Sequence, residues 1–334
     1  MLHNRRSLLT GSGFYLPDTV ITNQDLVQRI ETTEAFILER TGVETRHHAT
    51  SGQSLSDLII PAAIQAVSNA GLTMQDIDCL IINTLSPDYH DPSQACLIQA
   101  KLALNEIPAF DIRAQCSGFL YGLRIADSFI RSNSYQRILL ICAEMLSKRM
   151  DCSNDGRNLA ILLGDGAGAV VIESTDNQER GLIDIELAAN GEHFYSLYTQ
   201  APGSSNARFI TKEDVEKGKT EFRMQGKKVF DHAVAMLVAS ANALLEKHQL
   251  KLDDIDAVIV HQPNLRILDA VRLALAIPEE KLPINVTHFG NMASASLAVT
   301  YAHCVAEQRI KQGDLVLLLA YGAGATWGAA LYRA

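Results

Sequence analysis

Residues 76–84 read DIDCLIINT, and residues 254–262 read DIDAVIVHQ. Each is a short acidic turn followed by an unbroken apolar run, the pattern of a strand buried on both faces of a parallel sheet. Each follows a helical stretch. The first predicted helix runs from Ser56 to Ala70, with Asp57 near its start and Gly71 just past its end; the second covers roughly 229–248. The likeness continues downstream. ILLICAE begins at Ile138, 62 positions after Asp76, and LVLLLAYGAG begins at Leu315, 61 positions after Asp254. Between them each half opens another helix, at Cys116 (38 after Asp78) and at Asn291 (35 after Asp256). Strands alternating with helices predict an α/β protein whose parallel sheets are covered on both faces. The repeat predicts two similar halves, residues 1–175 and 176–334.

The rest of the chain fits a folded α/β protein of this size. Of 334 residues, 47% are hydrophobic and 20% charged, which excludes a disordered chain. The 38 acidic residues outnumber the 29 basic ones, giving a net charge of −9 and arguing against a nucleic-acid binder. No apolar run approaches the roughly 18 residues of a membrane span, and the first ten residues lack the pattern of a signal peptide. Six cysteines lie far apart, mostly in apolar strings, so a cytoplasmic location with reduced thiols is expected.

In an open α/β sheet, ligands bind beyond the carboxyl ends of the strands. Residues 115–118, 260–265 and 289–293 fall there. Within DIRAQCSGFLYGL, apolar Phe119, Leu123, Ala126 and Ile130 share one helical face, which places Cys116 at a helix N-terminus. Free N–H groups and the dipole there favour a thiolate, the nucleophile that an acyl thioester needs. Ser117 and Gly118 leave room for approach. The plain alternative is a small buried hydrophobe. His261 ends its strand and is either a proton donor at the site or a hydrogen-bonded structural histidine. Asn291 follows Gly290 and offers a fixed amide donor or a helix N-cap. Together, Cys116, His261 and Asn291 suit decarboxylative condensation. Neutral imidazole and amide donors stabilise enolate charge on a malonyl thioester, and no strong base is needed. Backbone N–H groups near Cys116 and in the 322–324 turn would hold a tetrahedral oxyanion.

These residues bring a family into view. ERTGVETRH (39–47), DPSQACLIQ (91–99), DIRAQCSG (111–118), LLGDGAGAVV (162–171), HQPNLRI (261–267), GNMASAS (290–296) and YGAGATWGAALYR (321–333) resemble, in order and spacing, the β-ketoacyl-acyl-carrier-protein synthase III family. The resemblance implies the thiolase fold, two duplicated βαβαβ-type halves in a layered α-β-α-β-α sandwich. It implies acylation of Cys116 from acyl-CoA, then condensation with malonyl-CoA or malonyl carrier protein assisted by His261 and Asn291. The N–H groups of Cys116 and Ala323 would form the oxyanion hole. Phe36, Arg40 and Arg157 would hold the CoA nucleotide, and Arg266 would meet the phosphopantetheine carrier. No cofactor would be permanently bound, since CoA thioesters are substrates, and the protein would be a cytoplasmic homodimer. The segment around Asp91 would enter the partner's acyl pocket.

Three positions depart from initiating fatty-acid synthases: Asp91 replaces an aromatic residue, Ala325 a common phenylalanine, and Ala323 a glycine. Loss of two rings would reshape the acyl pocket around Asp91 and Ala325. NTLSPDYHDPSQACLIQ, LSKRMDC and HQPNLRILDA look like the branch of the family that condenses anthraniloyl-CoA for alkylquinolone signals; a short or medium acyl-CoA is the other expected starter.

Other readings are weaker. Gly164, Gly166 and Gly168 miss the G-x-G-x-x-G spacing and precede a strand, so tight packing explains them better than a dinucleotide. A thiolase would carry a second cysteine in the C-terminal glycine loop, and residues 321–328 have none. A non-catalytic relative would usually lose the nucleophile. No metal-ligand spacing occurs. His47 and His48 follow a basic stretch and are expected at the surface.

Overall fold

The computed structural model describes residues 5–334. The two motifs form strands Cys79–Asn83, inside the first sheet, and Ala257–Val260, at the edge of the second. In the first sheet, Cys79–Asn83 runs parallel to Ala109–Ile112 on one side and to Arg137–Met145 on the other. Asp165–Thr175 then pairs antiparallel with Arg137–Met145, and Arg6–Tyr15 antiparallel with that. The second sheet repeats the order without the Ala109–Ile112 equivalent. Ala257–Val260 is parallel to Leu315–Gly322, followed by antiparallel Thr326–Arg333 and Gly181–Ala189. The sheets are therefore mixed rather than wholly parallel. In the second sheet residues 323–325 turn the chain straight back, where a parallel strand would need a long crossover; in the first sheet the longer segment 146–164 makes the return.

Period-two alternation explains why both runs are apolar throughout. Cys79 and Ile81 face a central core, and Leu80 and Ile82 an outer one. In the second half Ala257 and Ile259 face the same central core, and Val258 and Val260 another outer one. Helices Gly118–Arg131 and Ala295–Ala306 fill the centre, packed against strands of both sheets. Helix Leu55–Asn69 covers the first sheet outside, and Gly226–Lys247 covers the second. Five layers result: helix, sheet, helix pair, sheet, helix.

Gly226–Lys247 is 22 residues long, with an 18-residue window of mean hydropathy 1.3. A membrane span has similar length and hydropathy. Its buried residues Ala233, Leu237, Ala241 and Leu244 form one stripe lying on the second sheet, the pattern of a helix with one face in a core. His48 is not at the surface. It is buried, with Nε2 3.0 Å from the Leu163 carbonyl oxygen, and burial lowers its pKa.

The glycine run 164–168 serves close approach. A Cβ on Gly168 would lie 2.6 Å from the Val299 nitrogen and 2.7 Å from the Ala298 carbonyl carbon, both in the inner helix. Backbone cannot yield as a side chain does. Gly168→Ala is expected to lower unfolding free energy by at least ~2 kcal/mol. Gly52→Ala, with nothing within 4 Å of the added carbon, should change it by less than about 0.5 kcal/mol. Urea midpoints of the two variants check this.

Candidate active site

The inner helix Gly118–Arg131 starts directly after a 3₁₀ turn, Gln115–Ser117, that carries Cys116. Gln115 takes φ +45°, which bends the chain sharply between strand Ala109–Ile112 and the helix. The turn is clasped to the second half. Ser117 Oγ donates to Thr326 Oγ1 at 2.8 Å, and a Cβ on Gly322 would sit 2.9 Å from the Cys116 nitrogen and 3.0 Å from the Ser117 nitrogen. His261 follows strand Ala257–Val260, and its backbone N–H donates to the Leu319 carbonyl at 2.8 Å. Asn291 does not open the second inner helix: Ser294 is the residue before it, and Asn291 lies in the approach. There Asn291 N–H donates to Leu162 O at 2.7 Å, and its carbonyl accepts from Gly164 N–H at 2.9 Å. Its Oδ1 accepts from Ala293 N–H at 2.8 Å, which leaves the amide nitrogen without a partner among the described residues.

Cys116, Asn291, Ala323 and Gly324 line two cavities at once. One, about 810 Å³, also contains His261, Phe36, Arg40, Arg157, Arg266 and Ala325. Guanidiniums of Arg40 and Arg157 lie 5.4 and 5.1 Å from the Phe36 ring centroid, a cation–aromatic cluster at one end. Arg266 is exposed, 5.7 Å from the Phe230 ring. The other cavity, about 720 Å³, runs from Cys116 toward Arg113, Arg149 and Phe222. Ala325 is buried and lines the His261 cavity. Asp91 lines neither; its side chain is 92% exposed, 3.6 Å from His90 Nδ1. The N–H groups of Cys116 and Ala323 bond to no carbonyl among the described residues.

Electrostatics at the sulfur run against the thiolate expectation. Burial pushes the Cys116 thiol up to about 12, the Glu144 charge adds to this, and the residue's own N–H opposes it. The sulfur's open surface faces cavities rather than bulk water, so desolvation outweighs the helix end. His261 is 3% exposed, and burial lowers its pKa to about 3, so its ring is neutral at pH 7. Its Nδ1 is buried without a partner.

Sequence reading missed the groups that brace this arrangement. Fully buried Arg46 donates to Ile161 O at 3.0 Å and Asn23 Oδ1 at 2.8 Å. With His48 on Leu163 O, it tethers the 161–163 segment, whose backbone holds Asn291. Glu144, also fully buried, accepts from Ser294 Oγ at 2.5 Å and Ser86 Oγ at 2.6 Å, and burial raises it to about 7. The apolar string ICAEM around Glu144 was the available signal, since a carboxylate in a buried strand demands partners. Glu144→Gln removes a negative charge beside Cys116. It should raise the rate of iodoacetamide alkylation of Cys116 at pH 8 severalfold, read by intact mass; an unchanged rate would show that the two do not couple.

Models of known families match two stretches: 3-oxoacyl-[acyl-carrier-protein] synthase III over residues 110–191, and the C-terminal part of the same enzyme over 245–334. Proteins named beta-ketoacyl-[acyl-carrier-protein] synthase III from Natranaerobius thermophilus and Cereibacter sphaeroides are 38% and 40% identical over 334 and 333 residues. The alignments cover 99% and 98% of this chain and 100% and 99% of theirs. Among solved structures, the 3-oxoacyl-[acyl-carrier-protein] synthase III of Aquifex aeolicus superposes with TM-score 0.89 at 35% identity, over 98% of this chain and 100% of that one. The priming β-ketosynthase of the R1128 polyketide pathway gives 0.91 at 28%, over 100% and 97%. The five layers are those of the thiolase fold. With this likeness running end to end, the chain belongs to the β-ketoacyl-[acyl-carrier-protein] synthase III family of condensing acyltransferases.

Proposed function

We propose that this protein takes an acyl group from coenzyme A onto Cys116 and condenses it with a malonyl thioester, releasing CO2. The observation that carries the reading is the sharing of Cys116 and Asn291 between two cavities. Only one of these holds His261 and the arginine–phenylalanine cluster. A thioester entering past Phe36, Arg40 and Arg157 would meet the sulfur with its nucleotide end held by stacking and guanidinium contacts. Arg266 on the rim would receive a carrier protein's phosphopantetheine. The acyl part would settle in the opposite cavity. The proposed halves, 1–175 and 176–334, would each supply part of the site: the cysteine from the first, His261 and Asn291 from the second.

In the loading step Cys116 Sγ attacks the thioester carbon. The tetrahedral oxygen takes hydrogen bonds from the Cys116 and Ala323 N–H groups, each such donor typically contributing about 10²–10³ in rate. The carbon–sulfur bond to coenzyme A breaks, and the thiol proton leaves with it. A malonyl thioester then enters by the same route. Neutral His261 and the free amide N–H of Asn291 donate to its carbonyl oxygen as CO2 departs, and the enolate carbon attacks the acyl-cysteine. Collapse expels Cys116 as a thiolate, which takes a proton from solvent, and yields a β-ketoacyl product. An imidazole neutral down to about pH 3 suits a donor better than a base.

Residues 83–99, 146–152 and 261–270 support an anthraniloyl starter by their likeness to that branch. The names of the relatives support a β-ketoacyl condensation, for which a short or medium acyl-CoA is the other starter. We further propose a cytoplasmic homodimer in which Asp91 reaches the second copy.

Cys116→Ser should reduce self-acylation by acyl-CoA at least 100-fold by intact mass. His261→Ala should slow condensation far more than acylation, judged by product release against adduct formation. Equal loss of both steps would overturn the roles given to these two residues.

A further inference from the structure

The cavity opposite the CoA-side tunnel carries more charge than a hydrocarbon tail requires. Arg113, Lys148 and Arg149 line it, against a single acid, Glu221. Lys148 is occupied: its Nζ donates to Ser51 O and Gln53 O. Arg149 is half-buried and sits 4.6 Å from the Phe222 ring centroid. It donates to Leu85 O at 3.2 Å, and to Thr199 Oγ1 and Thr220 O at 3.3 Å. Every one of these acceptors is neutral, and no carboxylate lies within 4.0 Å of Arg149 among the described residues. Arg113 has neither hydrogen bond nor ion pair there. Glu221 supports the Arg149 cation through its charge but makes no ion pair with it: its Oε2 is buried without a partner among the described residues, and its Oε1 accepts from Thr220 Oγ1 at 3.3 Å.

Partly buried cations are normally paired, because desolvation is costly without a counter-charge. Here burial lowers the Arg149 pKa, the Glu144 and Glu221 charges oppose that, and the Arg113 charge adds to the lowering. The two guanidiniums, Arg149 half-buried and Arg113 exposed, thus face one cavity and repel each other, with no carboxylate at ion-pair distance from either among the described residues. Leu85, Leu146, Met150, Leu163 and Phe222 supply an apolar stretch in the same cavity.

We propose that the acyl group stored behind Cys116 bears a carboxylate at its far end, as in a succinyl- or glutaryl-type thioester. The carboxylate meets Arg149 and Arg113 while its methylene chain lies on the apolar stretch. The inference rests on the loading reaction above and names its substrate class. The chemistry balances without any further reagent. The cysteine sulfur–carbon bond forms, the coenzyme A sulfur–carbon bond breaks, the thiol proton leaves on coenzyme A, and the distal carboxylate is unchanged.

The test is a competition read by intact mass, with equimolar succinyl- against butyryl-CoA, glutaryl- against pentanoyl-CoA, and anthraniloyl-CoA in a third arm. Carboxylated adducts on Cys116 should exceed their neutral counterparts at least tenfold. Arg149→Met should lower that ratio at least tenfold, and exposed Arg113→Gln should lower it several-fold without disturbing a buried contact. If butyryl, pentanoyl or anthraniloyl groups load and the carboxylated ones do not, the inference falls while the condensing reaction stands. That result is expected if Asp91 of a second copy already neutralises the arginines. If no acyl-CoA loads, the proposed reaction falls as well.

Discussion

Gly322 lies so close to the Cys116 and Ser117 amides that a single added carbon would intrude on both. That contact joins the cysteine turn to the end of strand Leu315–Gly322 of the second sheet, beside the sulfur. The rest of the architecture can be understood as what it takes to hold it. Two sheets of matching strand order face a shared pair of helices, and the approaches to those helices carry Cys116 and Asn291. Because the helices are packed between sheets rather than on one, neither approach can shift without disturbing both cores. The Ser117–Thr326 hydrogen bond fixes the turn laterally.

A site made this way is largely buried, and burial decides its charges. A helix end alone would favour a cysteine anion. Burial and the neighbouring Glu144 outweigh that and keep the thiol protonated in the free protein, while the same burial keeps His261 uncharged. The result is a set of neutral donors and a neutral nucleophile, with unpaired N–H groups placed around the sulfur. Such groups gain most from charge that appears only during reaction, because they are already oriented toward it.

The layered fold was readable in DIDCLIINT and DIDAVIVHQ because residues 79–82 and 257–260 are buried and apolar at every position, and the register between the repeats survives over some 60 residues. The convergence of Cys116, His261 and Asn291 was readable too, since all three follow strands or precede helices at one end of the sheets. The antiparallel outer strands were not, for nothing in an apolar run states its direction. Nor was the thiol's protonation, which depends on cavity walls contributed by distant segments. Arg46, His48 and Glu144 escaped notice for a related reason: isolated polar residues look like surface until the backbone carbonyls and hydroxyls they satisfy are brought beside them.

The sulfur stands in a doorway, with one chamber before it and another of about 720 Å³ behind. A room of that size leaves space well beyond a short acyl group, so its walls discriminate by the chemistry of their lining more than by length.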